Sequence, residues 1–211
     1  MAFIVFEGLD GAGKSSLIQL LANDLTRSSM QHIITREPGG TALGEELRTI
    51  LLRTDGEAPV ARAELLLYQA IRAQHVENKI KPALKMGSWV ICDRYTASSI
   101  AFQAGGRGIS ENDIKSLNDF STDHLQPQLF VLLDLPVEES LKRIQKRVDG
   151  GQNKDRFEQE EKDFHERIRT SYLKQSKEDA NLWLVLDARK SSEDMYKELK
   201  SKLIEKKWLK S

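Results

Sequence analysis

Cysteine is nearly missing from this chain: Cys92 is the only one among 211 residues. That excludes an internal disulfide framework and suits a reducing compartment. Long hydrophobic runs are missing as well. The longest apolar stretch, Leu129 to Leu135, covers seven residues and contains Asp134, far short of the ~20 that cross a bilayer. No basic region precedes the first apolar run, so no signal peptide is expected. There is no surplus of charge: 32 Lys and Arg balance 32 Asp and Glu, which removes any global attraction for nucleic acid or an anionic membrane. The sequence shows no repeat period and no low-complexity block. His32, His75, His124 and His165 have no metal-ligand spacing, and they are given no role. With 39% hydrophobic and 30% charged residues, the chain has enough apolar material for one core and is too apolar for disorder. The expectation is a single cytoplasmic domain over residues 1–211 that acts on small molecules, with no nucleic-acid or membrane partner.

Five short apolar runs read as strands: Phe3–Glu7, His32–Thr35, Trp89–Cys92, Leu129–Leu133 and Leu182–Leu186. Each is nearly continuous in hydrophobic residues, as parallel strands covered on both faces are. Between them lie helical periods. Leu17, Leu21 and Leu25 repeat every four residues, as do Leu43, Leu47 and Leu51. Val137, Leu141, Ile144 and Val148 follow the 4-3-4 spacing of one helix face, and Met195, Leu199 and Leu203 supply a last amphipathic helix. The stretch Val60–Met86 reads as helical, with Pro82 kinking it or dividing off a final turn. Alternating strands and helices predict an α/β fold: a five-stranded parallel sheet with helices on both faces and ligands at the carboxyl ends of the strands. Asp149–Lys154, DGGQNK, has no period and reads as a mobile loop, a candidate lid.

The first strand runs straight into GLDGAGKSS, Gly8 to Ser16. Gly8, Gly13, Lys14 and Ser15 match G-x-x-x-x-G-K-[ST] in the strand–loop–helix context that motif requires. Glycines let the backbone wrap closely and aim its N–H groups at phosphate oxygens, and the helix N-terminus adds partial positive charge. Lys14 is expected to reach the β and γ phosphates and the Ser15 hydroxyl to ligate Mg²⁺. The nine loop residues Gly8, Leu9, Asp10, Gly11, Ala12, Gly13, Lys14, Ser15 and Ser16, together with Arg143, form the expected ATP site. The base-reading NKxD and SAK segments of small GTPases are absent, as is the Walker B acidic pair of motor ATPases. The third strand leads instead into Asp93-Arg94-Tyr95. There Asp93 is placed to position Mg²⁺ or its water, and Arg94 to bridge donor and acceptor phosphates.

Taken in order, FEGLDGAGKSS (6–16), TREPGGT (35–41), LGEELR (43–48), AELLLYQAIRAQHV (63–76), DRYTASSIAFQAGGRG (93–108) and Asp155-Arg156-Phe157-Glu158 resemble the thymidylate kinases over nearly the whole chain. The resemblance implies a P-loop NTP hydrolase fold, phosphorylation of dTMP to dTDP by ATP with Mg²⁺, and a homodimer formed through the helices after the P-loop and around Tyr68. It also implies roles for individual residues. Asp10 would accept from the sugar 3′-hydroxyl, Arg36 and Arg48 would hold the monophosphate, and Pro38 would follow a cis peptide bond. Tyr68 would face thymine, Arg72 would donate to the base O4, and Ser99 and Gln103 would contact the base. Phe102 would lie near the sugar. Tyr68 stands where the family usually has Phe, and Phe102 where many bacterial members have Tyr. Gly11 occupies the position where eukaryotic-type members carry a catalytic Arg. The bacterial type draws its cations from the lid instead, here about residues 147–158, with Arg147 and Arg156 favoured and Glu158 orienting one of them. Lys14, Arg94, Asp10, Arg147 and Arg156 are thus the expected catalytic set. Two alternatives stay open on the same fold: a kinase for another monophosphate such as dGMP, dUMP or AMP, or a P-loop switch with no acceptor site. A nucleic-acid binder using the Lys-rich tail from Lys197 to Lys210 is weaker, because that tail alternates lysines with apolar residues.

Overall fold

Phe3-Ile-Val-Phe-Glu7 is apolar along almost its whole length, so it is stable only when covered on both faces. In the computed structural model, which describes residues 1–209, this run is β1 (Phe3–Glu7) and lies at the centre of the sheet. With β2 (His32–Arg36), β3 (Trp89–Asp93), β4 (Leu129–Asp134) and β5 (Trp183–Asp187) it forms one all-parallel sheet in the order β2-β3-β1-β4-β5.

Two apolar layers flank the sheet. On one side α1 (Lys14–Arg27) buries Leu17, Leu21 and Leu25, and α9 (Ser192–Glu205) buries Met195, Leu199 and Leu203 against β1, β3 and β4. Each such side chain contributes roughly 1.5–3 kcal/mol on burial. Trp208 packs edge-on against Trp89, and Leu209 is buried in the same layer. The apolar residues of the lysine-rich tail therefore belong to the core, and Lys210 lies outside the described residues. The opposite layer holds Val76, Ile80 and Ala83 together with Phe102, Phe164, Ile168 and Tyr172.

Strand ends differ from the sequence reading by at most one residue. β2, β3 and β4 continue into Arg36, Asp93 and Asp134, because backbone pairing runs on through Arg36↔Asp93 and Phe6↔Asp93. A charged residue at a sheet edge reads as a turn in sequence, yet its backbone stays in the ladder. The Val60–Met86 segment divides as α3 (Ala61–His75), a π-helical turn over 76–80, and α4 (Lys81–Lys85). Pro82 sits in the first turn of α4, where its missing N–H is tolerated. After α2 (Ala42–Leu52) and β3, the segment following Tyr95 forms α5 (Thr96–Ser99) and a second π-helical turn over 100–106. α6 (Glu111–Thr122) was not visible as a period, because three of its four buried residues are polar: Asn118, Ser121 and Thr122 beside Ile114. α7 (Val137–Asp149) and α8 (Lys162–Glu178) are joined by the irregular segment 150–161.

Candidate active site

The loop after β1 is shaped by its glycines and anchored by its apolar residues. Gly8 has φ +132°, and a Cβ there would lie 2.5 Å from the Leu133 carbonyl oxygen, so only glycine leaves β1 this close to β4. Leu9 and Ala12 are buried, one in each apolar layer. Lys14 Nζ donates to the carbonyls of Gly8 and Leu9, both at 3.1 Å, and stands 3.8 Å from Asp10 Oδ1. Burial lowers the Lys14 pKa, and the Arg94 charge adds to the effect. From α7, Arg143 donates to the carbonyls of Gly11 and Ala188, both at 3.0 Å, which braces the outer side of the loop.

Arg94 leaves β3 with φ +71°, an unusual backbone for a non-glycine residue. Its Nη2 donates to Asp10 Oδ1 at 2.7 Å and its Nη1 to the Tyr172 hydroxyl at 3.1 Å, while the guanidinium lies 5.1 Å from the Phe102 ring centre. Behind it, the fully buried Glu7 accepts from Tyr95 N at 2.9 Å, Ser98 Oγ at 2.6 Å and the Tyr172 hydroxyl at 2.8 Å. Burial raises the Glu7 pKa against the opposing pull of Arg94. Burial pushes the Asp10 carboxyl up too, but Arg94 and Lys14 together hold it well below the usual carboxylate range. Asp93 Oδ1 is buried and has no hydrogen-bond partner among the described residues. It lines the same cleft as Ser15, and an unpartnered carboxylate oxygen together with a hydroxyl is a fitting pair of donors for a hard divalent cation such as Mg²⁺.

The facing wall of the cleft comes from β2, α2 and α3. The Glu37–Pro38 peptide bond is cis. Arg48 Nη1 donates to the Pro38 carbonyl at 2.7 Å, and Arg36 pairs with Glu45 at 2.8 Å. Burial lowers the Arg48 pKa, with the neighbouring Arg36 charge in the same direction. Arg72 is only 1% exposed: Nε donates to Glu37 at 2.8 Å, Nη1 to Asn118 at 2.7 Å and Ser99 at 2.9 Å, and Nη2 to the Tyr95 carbonyl at 3.0 Å. His75 Nδ1 meets the other Glu37 oxygen at 3.0 Å, and its Nε2 lies 2.7 Å from Thr35 Oγ1. Gln103 is buried and lines the same cleft. Phe102 and Tyr68 flank Phe157, with ring centres 5.6 and 6.3 Å away.

One cleft gathers most of the residues singled out from sequence: Asp10, Gly11, Gly13, Lys14, Ser15, Ser16, Arg36, Pro38, Arg48, Tyr68, Arg72, Asp93, Arg94, Ser99, Phe102, Gln103 and Arg147. Gly8, Leu9 and Ala12 shape the loop from beneath. Arg143 and Arg156 do not line the cleft: Arg143 braces the loop, and Arg156 Nε donates to the Leu51 carbonyl at 3.0 Å while Nη2 faces Glu64. Arg147 is ion-paired with Glu158, and the hydrogen bond to Glu158 raises its pKa. Glu37, Ser98, Asp155 and Phe157 also line the cleft. Sequence reasoning assigned them no contact, although all four fall inside the quoted motifs. Glu7, His75, Asn118 and Tyr172 support it from behind, from positions up to 165 residues apart.

A phosphate-binding loop opening a helix, at the carboxyl edge of a parallel sheet and across a cleft from a second set of arginines, defines a P-loop phosphotransferase of the nucleotide-kinase class. The sequence profile described as "Thymidylate kinase" matches residues 6–199. A thymidylate kinase of Bdellovibrio bacteriovorus is 54% identical over 210 residues, covering 99% of this chain and 98% of its own. One from Geotalea uraniireducens is 46% identical, with 88% of each chain covered. The crystal structure of the Ehrlichia chaffeensis thymidylate kinase superposes with a TM-score of 0.76 at 30% identity, over 96% of this chain and 98% of that one. The chain belongs to the thymidylate kinase family.

Proposed function

We propose that this chain transfers the γ-phosphoryl group of ATP to dTMP, giving dTDP and ADP. The observation that carries this reading is the meeting of two anion cradles in one cleft: Lys14, Ser15 and the loop amides on one side, Arg36 and Arg48 on the other, and Arg94 between them. A nucleotide switch needs only the first cradle.

The loop amides and Lys14 bind the donor phosphates, and exchanging carbonyl partners for phosphate oxygens gives Lys14 a stronger, charge-assisted contact. Ser15 and Asp93 would hold Mg²⁺, which neutralises developing charge on the phosphoryl oxygens. Arg94, fixed by Asp10 and Tyr172, sits where donor and acceptor phosphates approach, so transfer is favoured by positioning and preset charge. The acceptor phosphate is already anionic and needs no general base. Asp10, held ionised, is placed to accept from the sugar 3′-hydroxyl. In Arg72, Nη2 carries two hydrogens and has one partner, which leaves a donor for the thymine O4. A guanidinium there donates to a carbonyl and has no acceptor for an amino group. Segment 147–158 serves as the lid, with Arg147 as its cleft-facing cation.

The assembly we infer is a cytoplasmic homodimer. Leu66 on α3 and Phe120 on α6 are 57% and 85% exposed, on helices packed against each other. Sedimentation at micromolar concentration should give twice the 24.0 kDa chain mass, and a monomer mass would refute this. No helix among the described residues is long and apolar enough to cross a membrane.

The test of function is ADP release from ATP–Mg²⁺ against a panel of nucleoside monophosphates. Turnover should be strongest with dTMP, weaker with dUMP and absent with dCMP. Turnover with a purine monophosphate instead would keep the P-loop and discard the Tyr68–Arg72 thymine pocket.

A further inference from the structure

Glu64 lies in the first turn of α3 and is completely buried, yet nothing in the transfer chemistry uses it. A buried carboxylate is retained only when donors surround it, and here they come from two separate parts of the chain. Gln103 Nε2 donates to Oε1 at 2.9 Å, and Arg107 Nε approaches the same oxygen at 3.4 Å. Arg156 Nη2 stands 2.9 Å from Oε2, an ion pair outside hydrogen-bond alignment. Arg107 Nη2 is 3.3 Å from Oε2, and Arg107 Nη1 reaches on to Glu160 at 2.6 Å.

Arg156 and Glu160 belong to segment 150–161, whereas Gln103 and Arg107 flank the Gly105-Gly106 turn. Glu64 therefore joins that segment to the wall that holds Gln103. The same clasp seats Phe157 over the cleft, with Arg156 and Arg107 stacked on its ring at 4.7 and 5.6 Å. Arg156 also donates to the Leu51 carbonyl in α2, so the segment is tied to both helices of the acceptor side.

We propose that Glu64 is a positioning residue: through Arg156 and Gln103 it locks the 150–161 segment to the base-contacting wall, so that acceptor selection and closure of that segment act as one unit. Arg156 is the latch of this unit, and Arg147 is left to face the phosphates. The inference rests on the kinase reading for its substrate and on the ion-pair geometry for the clasp.

Two measurements separate these. In a double-mutant cycle, Glu64→Gln and Arg156→Gln should each raise KM for dTMP about tenfold and leave KM for ATP within twofold, and the double variant should be no worse than the poorer single. Limited digestion without nucleotide by a glutamate-specific protease, whose sites Glu158, Glu160 and Glu161 both variants keep, should cut within 150–161 about tenfold faster in either variant than in the parent chain. Effects that multiply in the double variant, or that raise both KM values equally, would overturn the proposal, as would unchanged proteolysis. If Glu64→Gln does not fold, Arg156→Gln alone must show the acceptor-selective KM change and the faster cleavage. A parent chain inactive on dTMP would refute the kinase reading, and the proteolysis would still decide the clasp.

Discussion

Arg94 carries its charge where the two halves of the cleft meet, and residues far from it in sequence fix it there. The Tyr172 hydroxyl accepts from Arg94 and donates to Glu7, which relays a buried carboxylate to the guanidinium without direct contact. Tyr172→Phe removes that relay and leaves Glu7 short of one donor, which costs about 1–3 kcal/mol of stability. At the permissive temperature, kcat should fall about tenfold, with both KM values within twofold, because Arg94 then loses orientation but not charge. Steady-state kinetics on the folded variant check this; an unchanged kcat with only a lower Tm would make Tyr172 purely structural. Lys14, Arg94 and Asp10 were legible in sequence, because a P-loop and Asp93-Arg94-Tyr95 are contiguous words. Glu7, Glu64, His75 and Tyr172 were not. Each looks like an ordinary strand or helix residue until folding brings its partner from 38 to 165 positions away.

The element that holds the acceptor wall in place is the π-helical turn 100–106 packed on α8. A Cβ on Gly106 would lie 2.5 Å from the Phe164 ring, and one on Gly105 would lie 2.9 Å from Ser171 Cβ. Arg167 donates to both glycine carbonyls, at 3.2 and 3.1 Å. Phe164 is buried between Arg107 and Phe102 and cannot yield. Gly106→Ala should therefore destabilise by about 1–3 kcal/mol, lowering Tm by roughly 2–10 °C. A thermal melt checks this, and an unchanged Tm would show that α8 is free to shift. Sequence patterning found the strands and the leucine-faced helices, since apolar period alone specifies them. It missed α6, whose buried face is mostly Asn, Ser and Thr, and it gave no sign of the π-helical turns. Those arise where tertiary packing adds a residue to a helix without changing its composition.

On the scale of the whole molecule, the sheet brings the phosphate-binding loop, the arginines of β2 and α2 and the segment 150–161 to one edge, and stability and activity both depend on that edge. His165 on α8 feels Glu158 and Glu160 of the segment 150–161; burial lowers its pKa against the opposing charges of Asp10, Glu160 and Glu158. Its Nε2 has no hydrogen-bond partner among the described residues. Because the unfolded chain binds this proton more readily, stability should fall as pH drops below the ordinary histidine value of about 6.5, by at most about 1.4 kcal/mol per pH unit. Melts of the parent and His165→Gln between pH 5 and 8 should converge at high pH and diverge as pH falls, with the variant less sensitive; parallel curves would contradict the assignment. The central claim, direct transfer between two cradles, is tested most directly by one turnover with ATP labelled in its γ-phosphate, with dTMP present and absent. The label should appear in dTDP when dTMP is present, with little inorganic phosphate in either case, and Lys14→Ala should slow its appearance at least about 10²-fold. Label released as inorganic phosphate at the same rate whether or not dTMP is present would contradict the account.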